Sequence, residues 1–287
     1  MSVHAIHSAP LEPHLIEFYN HYNHKSCLKK ICDIVASLFR DLLFVLMIPY
    51  LRCSSCALYE SCSKPTWSRQ SAGLVVLVHG LNGHPSIWKT HIKELKKHPN
   101  IDLYVPFVHL AGNCSLTAAS SPIQNKIADY IRRNPLKPIC LIGFSNGSRI
   151  VTSIERNLRD IAPETTVKVS TIAGVHFGST LINRISNTRV VKNFLHPSVR
   201  LELAYRSKTS QELLQRVRQP LPSTVSKRDY EFYASTNDLA VPNIDSSLPY
   251  LNLGERFHVV HGYGHKSIVS AVAKQQLHSC IKWIKAN

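Results

Sequence analysis

The sequence predicts an α/β fold: a mostly parallel, doubly wound sheet with a helical cap insertion. Three observations predict it. From residue 73 onward, short continuous apolar runs alternate with helix-spaced segments, the pattern of a parallel sheet covered on both faces. Gly143-Phe144-Ser145-Asn146-Gly147 joins one such apolar run to a helical segment. The stretch 181–227 lies between two later strands and is too long for a simple connection.

Gly73–Val78 is the first clear strand and ends in His79-Gly80. Residues 87–97 have helical spacing, 103–108 read as a strand and 123–133 as a helix. Ile139–Phe144 is a strand, 149–161 a helix and 167–173 another strand. Residues 230–235 and 257–260 supply the last two strands, and 268–284 the closing helix. The 181–227 insertion is basic, with Arg184, Arg189, Lys192, Arg216 and Arg218 among its residues.

Residues 1–70 form a separate N-terminal segment ahead of the 71–287 domain. His4, His7, His14, His21 and His24 fall among Tyr and Asn without a sustained period or an i,i+4 pair on a helix, so the start of the chain reads as irregular. Over 31–48 the apolar residues recur at helical spacing, interrupted by Asp33, Arg40 and Asp41 and ended by Pro49. The unbroken run 42–48 is far short of the roughly 20 residues a spanning helix needs. Three readings stand: a helix packed on the catalytic domain, an interfacial helix in a membrane surface, and a poor transmembrane anchor. Flanking Lys29, Lys30 and Arg52 suit anionic lipid, and Cys53 and Cys56 are candidates for a palmitoyl group.

The chain has 34 Lys and Arg against 18 Asp and Glu, a net charge of +16, which calls for an anionic partner or a plain solubility excess. Without finger spacing, an RNP stretch or a basic-region heptad, no nucleic-acid partner is expected, which leaves an anionic membrane surface. Hydrophobic residues at 44% and charged ones at 18% exclude a disordered or fibrous chain, and 287 residues hold one α/β domain with an insertion. Eight scattered cysteines, with Cys114 and Cys140 inside core segments, fit free thiols in a reducing, cytoplasmic setting, with peripheral membrane association open. Cys53, Cys56 and Cys62 lack a fourth ligand at metal spacing, so neither a metal nor a cofactor is expected.

The chemistry is carried by residues at strand ends. In Gly143-Phe144-Ser145-Asn146-Gly147, small flanking residues allow the sharp turn that exposes a nucleophilic Ser145 above the sheet. A serine hydroxyl needs a base, and His265 follows the last strand; His258 and His261 compete but sit on or beside the strand. A carboxylate must then orient the imidazole, and Asp238 lies just past strand 230–235, with Asp245 as the alternative. The order Ser, Asp, His is the expected one. Backbone amides of Leu81, after His79-Gly80, and of Asn146, after the nucleophile, are candidates for an oxyanion hole.

Together these residues resemble the α/β-hydrolase superfamily, in its serine lipase and esterase branch, over about residues 73–285. Val78-His79-Gly80-Leu81-Asn82-Gly83 followed by Trp88 is similar to the oxyanion-loop signature. Ala173-Gly174-Val175-His176-Phe177-Gly178-Ser179 resembles a segment of bacterial lipases and GPI inositol-deacylase relatives. The resemblance implies lipid esters as substrates and a structural role for His176. Phe144 stands where His is more usual and Ser148 where a third glycine is common. The first two family strands are not evident, and residues 1–70 carry no such resemblance.

Hydrolysis of a carboxylic ester, with lipid acyl esters foremost, through an acyl-enzyme on Ser145 is thus the leading expectation. A thioesterase or acyltransferase would use the same triad. A reading of another class is a catalytically silent, membrane-associated binding protein that keeps the fold.

Overall fold

The computed structural model describes Leu15, residues 24–53 and residues 56–287. His4, His7, His14 and His21 lie outside the described residues, as do the side chains of Cys53 and Cys56. Helices α1 (Cys27–Cys53) and α2 (Cys56–Ser63) precede β1 (Gly73–Val78), after which come α3 (Lys89–Leu95), β2 (Ile101–Tyr104) and α4 (Leu116–Arg133). Next are β3 (Ile139–Phe144), α5 (Asn146–Ile161) and β4 (Val167–Ile172). The insertion holds α6 (Thr180–Ile185), α7 (Arg189–Phe194), α8 (Pro197–Glu202) and α9 (Lys208–Val217). The chain then runs through β5 (Arg228–Ser235), α10 (Ile244–Ser247), β6 (Arg256–Val260) and α11 (Ser267–Ala286).

The six strands form one sheet in the order β2-β1-β3-β4-β5-β6, and every neighbouring pair is parallel. The order reverses between β1 and β3, the switch point where open α/β sheets place their ligands. Alternate side chains enter two cores. Leu74, Val76, Leu141 and Val169 meet Ile123, Ile127, Ile150 and Ile154 on one face. Val75, Leu77, Cys140 and Ile142 meet Trp88, Ile92, Val272 and Leu277 on the other. Each such fully buried aliphatic side chain contributes about 1.5–3 kcal/mol.

Two elements differ from the sequence expectation. The second strand is Ile101–Tyr104 rather than 103–108, because pairing with β1 ends at Tyr104. Beyond it the Val105 amide turns to the Cys62 carbonyl at 2.9 Å, and the Val108 amide donates to the His79 ring at 3.2 Å. Helix α4 begins at Leu116, not at 123, since Ser115 caps it by accepting from the Ala118 amide at 3.3 Å. Pro122, inside the helix, hides this start from a reading by propensity.

Four helices carry the insertion as far as Val217, and the last of them serves the core: Leu213, Leu214 and Val217 of α9 pack with the α5 side of the sheet. Its middle is tied to the loop after β2, where Asn113 donates to the Phe194 carbonyl at 2.9 Å and accepts from the His196 amide at 2.8 Å. Helix α1 packs on the sheet domain through Arg40 and Asp41. No helix among the described residues is long and apolar enough to cross a membrane.

Lys168 is fully buried in β4, with its ammonium 2.9 Å from Glu231 and 3.2 Å from the Ser279 hydroxyl. Burial pushes the Glu231 carboxyl up, but hydrogen bonding from His258 and the charge of Lys168 outweigh it and hold the group down to about 2. Removing one partner of such a pair strands the other charge. Glu231→Gln is therefore expected to cost about 3–5 kcal/mol in urea unfolding at neutral pH; a cost within experimental error would show that Asp229, 3.8 Å from the Lys168 ammonium, suffices as its counter-charge. Burial likewise depresses His79, His91 and His176 from 6.5 to about 4. The unfolded chain takes up these three protons first, so their stabilisation is complete above pH 6.5 and lost as pH falls toward 4. With all three engaged, stability should fall by up to about 4 kcal/mol per pH unit in that window, and a flat profile across it would contradict their burial.

Candidate active site

All the predicted site residues stand at the carboxyl ends of strands. Leu81 follows β1, Ser145 follows β3, Asp238 follows β5 and His265 follows β6. Ser145 makes the turn from β3 into α5 with φ 54° and ψ −125°, a left-handed conformation rare for a residue with a Cβ. Glycine makes the turn feasible on both sides. A Cβ on Gly143 would lie 2.6 Å from the Gly147 carbonyl oxygen, and one on Gly147 would strike the Val78 carbonyl of β1. Gly80 is equally pressed: a Cβ there would sit 2.7 Å from that of Ser145.

The structure brings Ser145, His265 and Asp238 into one hydrogen-bonded line. His265 Nε2 lies 2.9 Å from Ser145 Oγ, and His265 Nδ1 lies 2.7 Å from Asp238 Oδ2. The other Asp238 oxygen, Oδ1, accepts from the amides of Ala240 and Val241, each at 2.9 Å. Asp238 is thus a buried acceptor whose position is fixed by backbone donors. With that carboxylate as the acceptor, Nδ1 is the donating nitrogen of the ring and Nε2 faces the Ser145 hydroxyl. Phe144 occupies the position before the serine with its ring 4.9 Å from that of His265, so the departure from His there packs against the base.

The competing residues are engaged elsewhere. Asp245 accepts from the Tyr205 hydroxyl at 2.6 Å. His258 pairs with Glu231 at 2.9 Å, and His261 lies 3.0 Å from Thr236 Oγ1. His176 is buried between the Ser246 carbonyl at 3.0 Å and Thr152 Oγ1 at 3.3 Å, a bracing position under the loop after β4. Trp88 is a core residue set edge-on to His91.

Leu81 directly follows Gly80, whose added Cβ would meet Ser145, and Asn146 directly follows Ser145 in the chain. Leu81 is half-buried and packs against Val175, Val199, Leu203 and Val241. His79 braces its loop: Nε2 accepts from the Val108 amide at 3.2 Å, which leaves Nδ1 to donate to the Gly80 carbonyl at 2.9 Å. Depression of its pKa to about 4 by burial keeps that single tautomer at neutral pH. Asn146 is buried, and its amide is the first of α5, among the helix-start N–H groups that lack an acceptor within the helix.

Two residues that sequence reasoning passed over hold the His265 loop. Asp41 of α1 accepts from the Ser267 amide at 2.9 Å, the Ser267 hydroxyl at 2.7 Å and the Lys266 amide at 3.2 Å, and so caps α11 directly after the histidine. Arg40 donates to the Gly262 carbonyl and lies 4.5 Å over the Tyr263 ring. A side chain at Gly264 would collide with the Asp41 carboxylate. The available signal was the adjacent charges Arg40 and Asp41 inside an apolar helix, since charges in such a setting need partners. Beside this clamp lies a cavity of about 430 Å³ lined by Leu38, Leu42 and Val45 of α1, Leu181 of α6, Leu239 and His265. Among the described residues, no group of His, Cys, Asp and Glu side chains is arranged to hold a metal.

No protein-family model and no curated protein matches the sequence. Solved structures do match in fold. Bacillus licheniformis lipase BlEst2 in its mature form is 14% identical, with a TM-score of 0.53 over 77% of this chain and 96% of that one. A structure described under LipS and LipT, two metagenome-derived lipolytic enzymes, is 15% identical, with a TM-score of 0.53 over 79% of this chain and 98% of that one. The lin2722 gene product of Listeria innocua is 13% identical, with a TM-score of 0.50 over 71% of this chain and 92% of that one. At these identities the likeness is one of architecture, and with the six-stranded parallel sheet it establishes that the chain has the α/β-hydrolase fold.

Proposed function

We propose that this protein is a serine hydrolase that cleaves carboxylic esters, with lipid acyl esters as its substrates. The observation that carries the reading is the line from Ser145 Oγ through His265 to Asp238, at 2.9 and 2.7 Å, set on a strained turn at the switch point of the sheet. Such strain is retained where the surroundings over-determine it and the exposed side chain is used.

Ser145 Oγ attacks the ester carbonyl as His265 Nε2 takes its proton, and Asp238 stabilises the imidazolium that forms. The carbonyl oxygen becomes an oxyanion, which the amides of Leu81 and Asn146 receive. His265 then returns the proton to the departing alcohol, leaving an acyl group on Ser145. Water, deprotonated by the same histidine, releases the acid. These steps need no cofactor. The apolar lining of the cavity, from Leu38, Leu42, Val45, Leu181 and Leu239, favours an acyl chain over a polar substituent. That solved neighbours of the same fold are described as a lipase and as lipolytic enzymes accords with this choice.

A fluorophosphonate probe should label the folded chain and fail to label Ser145→Ala; equal labelling of both would move the nucleophile elsewhere. Asp238→Asn, which permits the wrong tautomer, should lower kcat on a short soluble ester by about 10⁴-fold. Asp41 bonds to the Lys266 and Ser267 amides rather than to Ser145, His265 or Asp238, and acts as a positioning residue. Asp41→Asn should lower kcat about 10- to 100-fold with KM little changed, because it loosens His265 while replacing one carboxylate of the cavity wall by an amide of the same shape. A change in KM alone would assign Asp41 to substrate binding instead.

A further inference from the structure

Helix α1 is packed the reverse way round from an ordinary surface helix. Its polar stripe faces the catalytic body: Ser37 is 1% exposed, Asp33 lies by Gly262, and Arg40 and Asp41 bond to the His265 loop. Its apolar residues face away, with Val35 60%, Phe39 60%, Leu43 45% and Leu46 66% exposed. A surface helix of a globular protein buries its apolar stripe and presents charge, and contiguous apolar patches of this kind mark an interaction surface.

We propose that α1 docks this face onto the surface of a bilayer containing anionic lipid, lying in the headgroup region with the mouth of the site beside it. An in-plane helix requires an apolar face and cationic flanks rather than spanning length. Lys29 is exposed near one end of α1, and at the other Lys89 lies 5.3 Å over the ring of Tyr50, a residue type favoured at the lipid interface. The net charge of +16 adds long-range attraction to anionic headgroups. The same charge opposes pairing this face with a second copy of the chain, since two such surfaces repel.

The apolar face is also continuous with the site. Leu42, 55% exposed on the helix, and Leu239, 52% exposed, both line the cavity that reaches His265. An acyl ester drawn from the bilayer would move along α1 into that cavity. Delivery of substrate rests on the ester-hydrolase reading; docking itself does not.

The test uses the full chain carrying Ser145→Ala, so that vesicle lipid is not consumed, in flotation with phosphatidylcholine vesicles with or without about one third phosphatidylglycerol. Recovery should be at least roughly tenfold higher with the anionic vesicles and fall by a similar factor in Phe39→Glu/Leu46→Glu. The swap Phe39→Leu/Leu46→Phe should retain binding, and all three proteins should melt alike and scatter light as monomers. Equal recovery on neutral vesicles, no flotation, flotation unchanged by the Glu pair, or a dimer that the Glu pair dissociates would each overturn the proposal. Turnover of a soluble ester by the chain with Ser145 intact is measured separately: its absence would remove the ester reading and leave docking standing.

Discussion

Ser145 holds a backbone conformation of φ 54° and ψ −125°, at a cost of order 1–3 kcal/mol, and much of the carboxyl end of the sheet is arranged to hold it there. The α5 helix must start so close to β1 that a side chain at residue 147 would meet the Val78 carbonyl. Gly143 and Gly80 close the other two sides. The Ser145 amide is meanwhile tied to the Ile172 carbonyl of β4 at 3.0 Å. The strain is therefore offset by the sheet register and the packed cores on both its faces, and its product is a hydroxyl raised clear of the sheet within reach of a histidine.

The histidine comes from a loop with less support of its own. Residues 261–267 are held by Asn237, whose side chain accepts from the Gly262 amide at 2.8 Å, by Asp238 on the ring, and by Arg40 and Asp41 from a helix more than two hundred positions earlier in the chain. This explains why α1 turns its charges inward. Their hydrogen bonds to the loop replace those lost to water, and the apolar side chains are left facing away. One helix thus holds the His265 loop, walls the cavity beside it and presents a hydrophobic face.

The strands were legible in the sequence because a parallel sheet covered on both faces forces continuous apolar runs, as in Gly73–Val78 and Ile139–Phe144. The turn at Ser145 and the positions of Asp238 and His265 were legible because each lies just beyond such a run. Local propensity failed where tertiary hydrogen bonds decided the backbone. The second strand stops where Val105 is taken by Cys62, and α4 begins at a serine cap that its Ser- and Pro-containing first turns obscure. Asp41 was hidden for a different reason: its partners, Lys266 and Ser267, are joined to it only by the folded chain. Leu81 showed its place through His79-Gly80, but the tautomer that braces its loop depends on the Val108 amide, which no local pattern reveals.

The central claim is that Ser145 is activated by His265 and Asp238 before an oxyanion site made by two backbone amides. A crystal structure of the chain after reaction with an alkyl fluorophosphonate tests it most directly. It should show phosphorus bonded to Ser145 Oγ, one phosphoryl oxygen about 2.7–3.1 Å from the amide nitrogens of both Leu81 and Asn146, and the alkyl chain in the cavity lined by Leu42 and Leu181. An adduct on another residue, or a phosphoryl oxygen directed to solvent away from both amides, would contradict it.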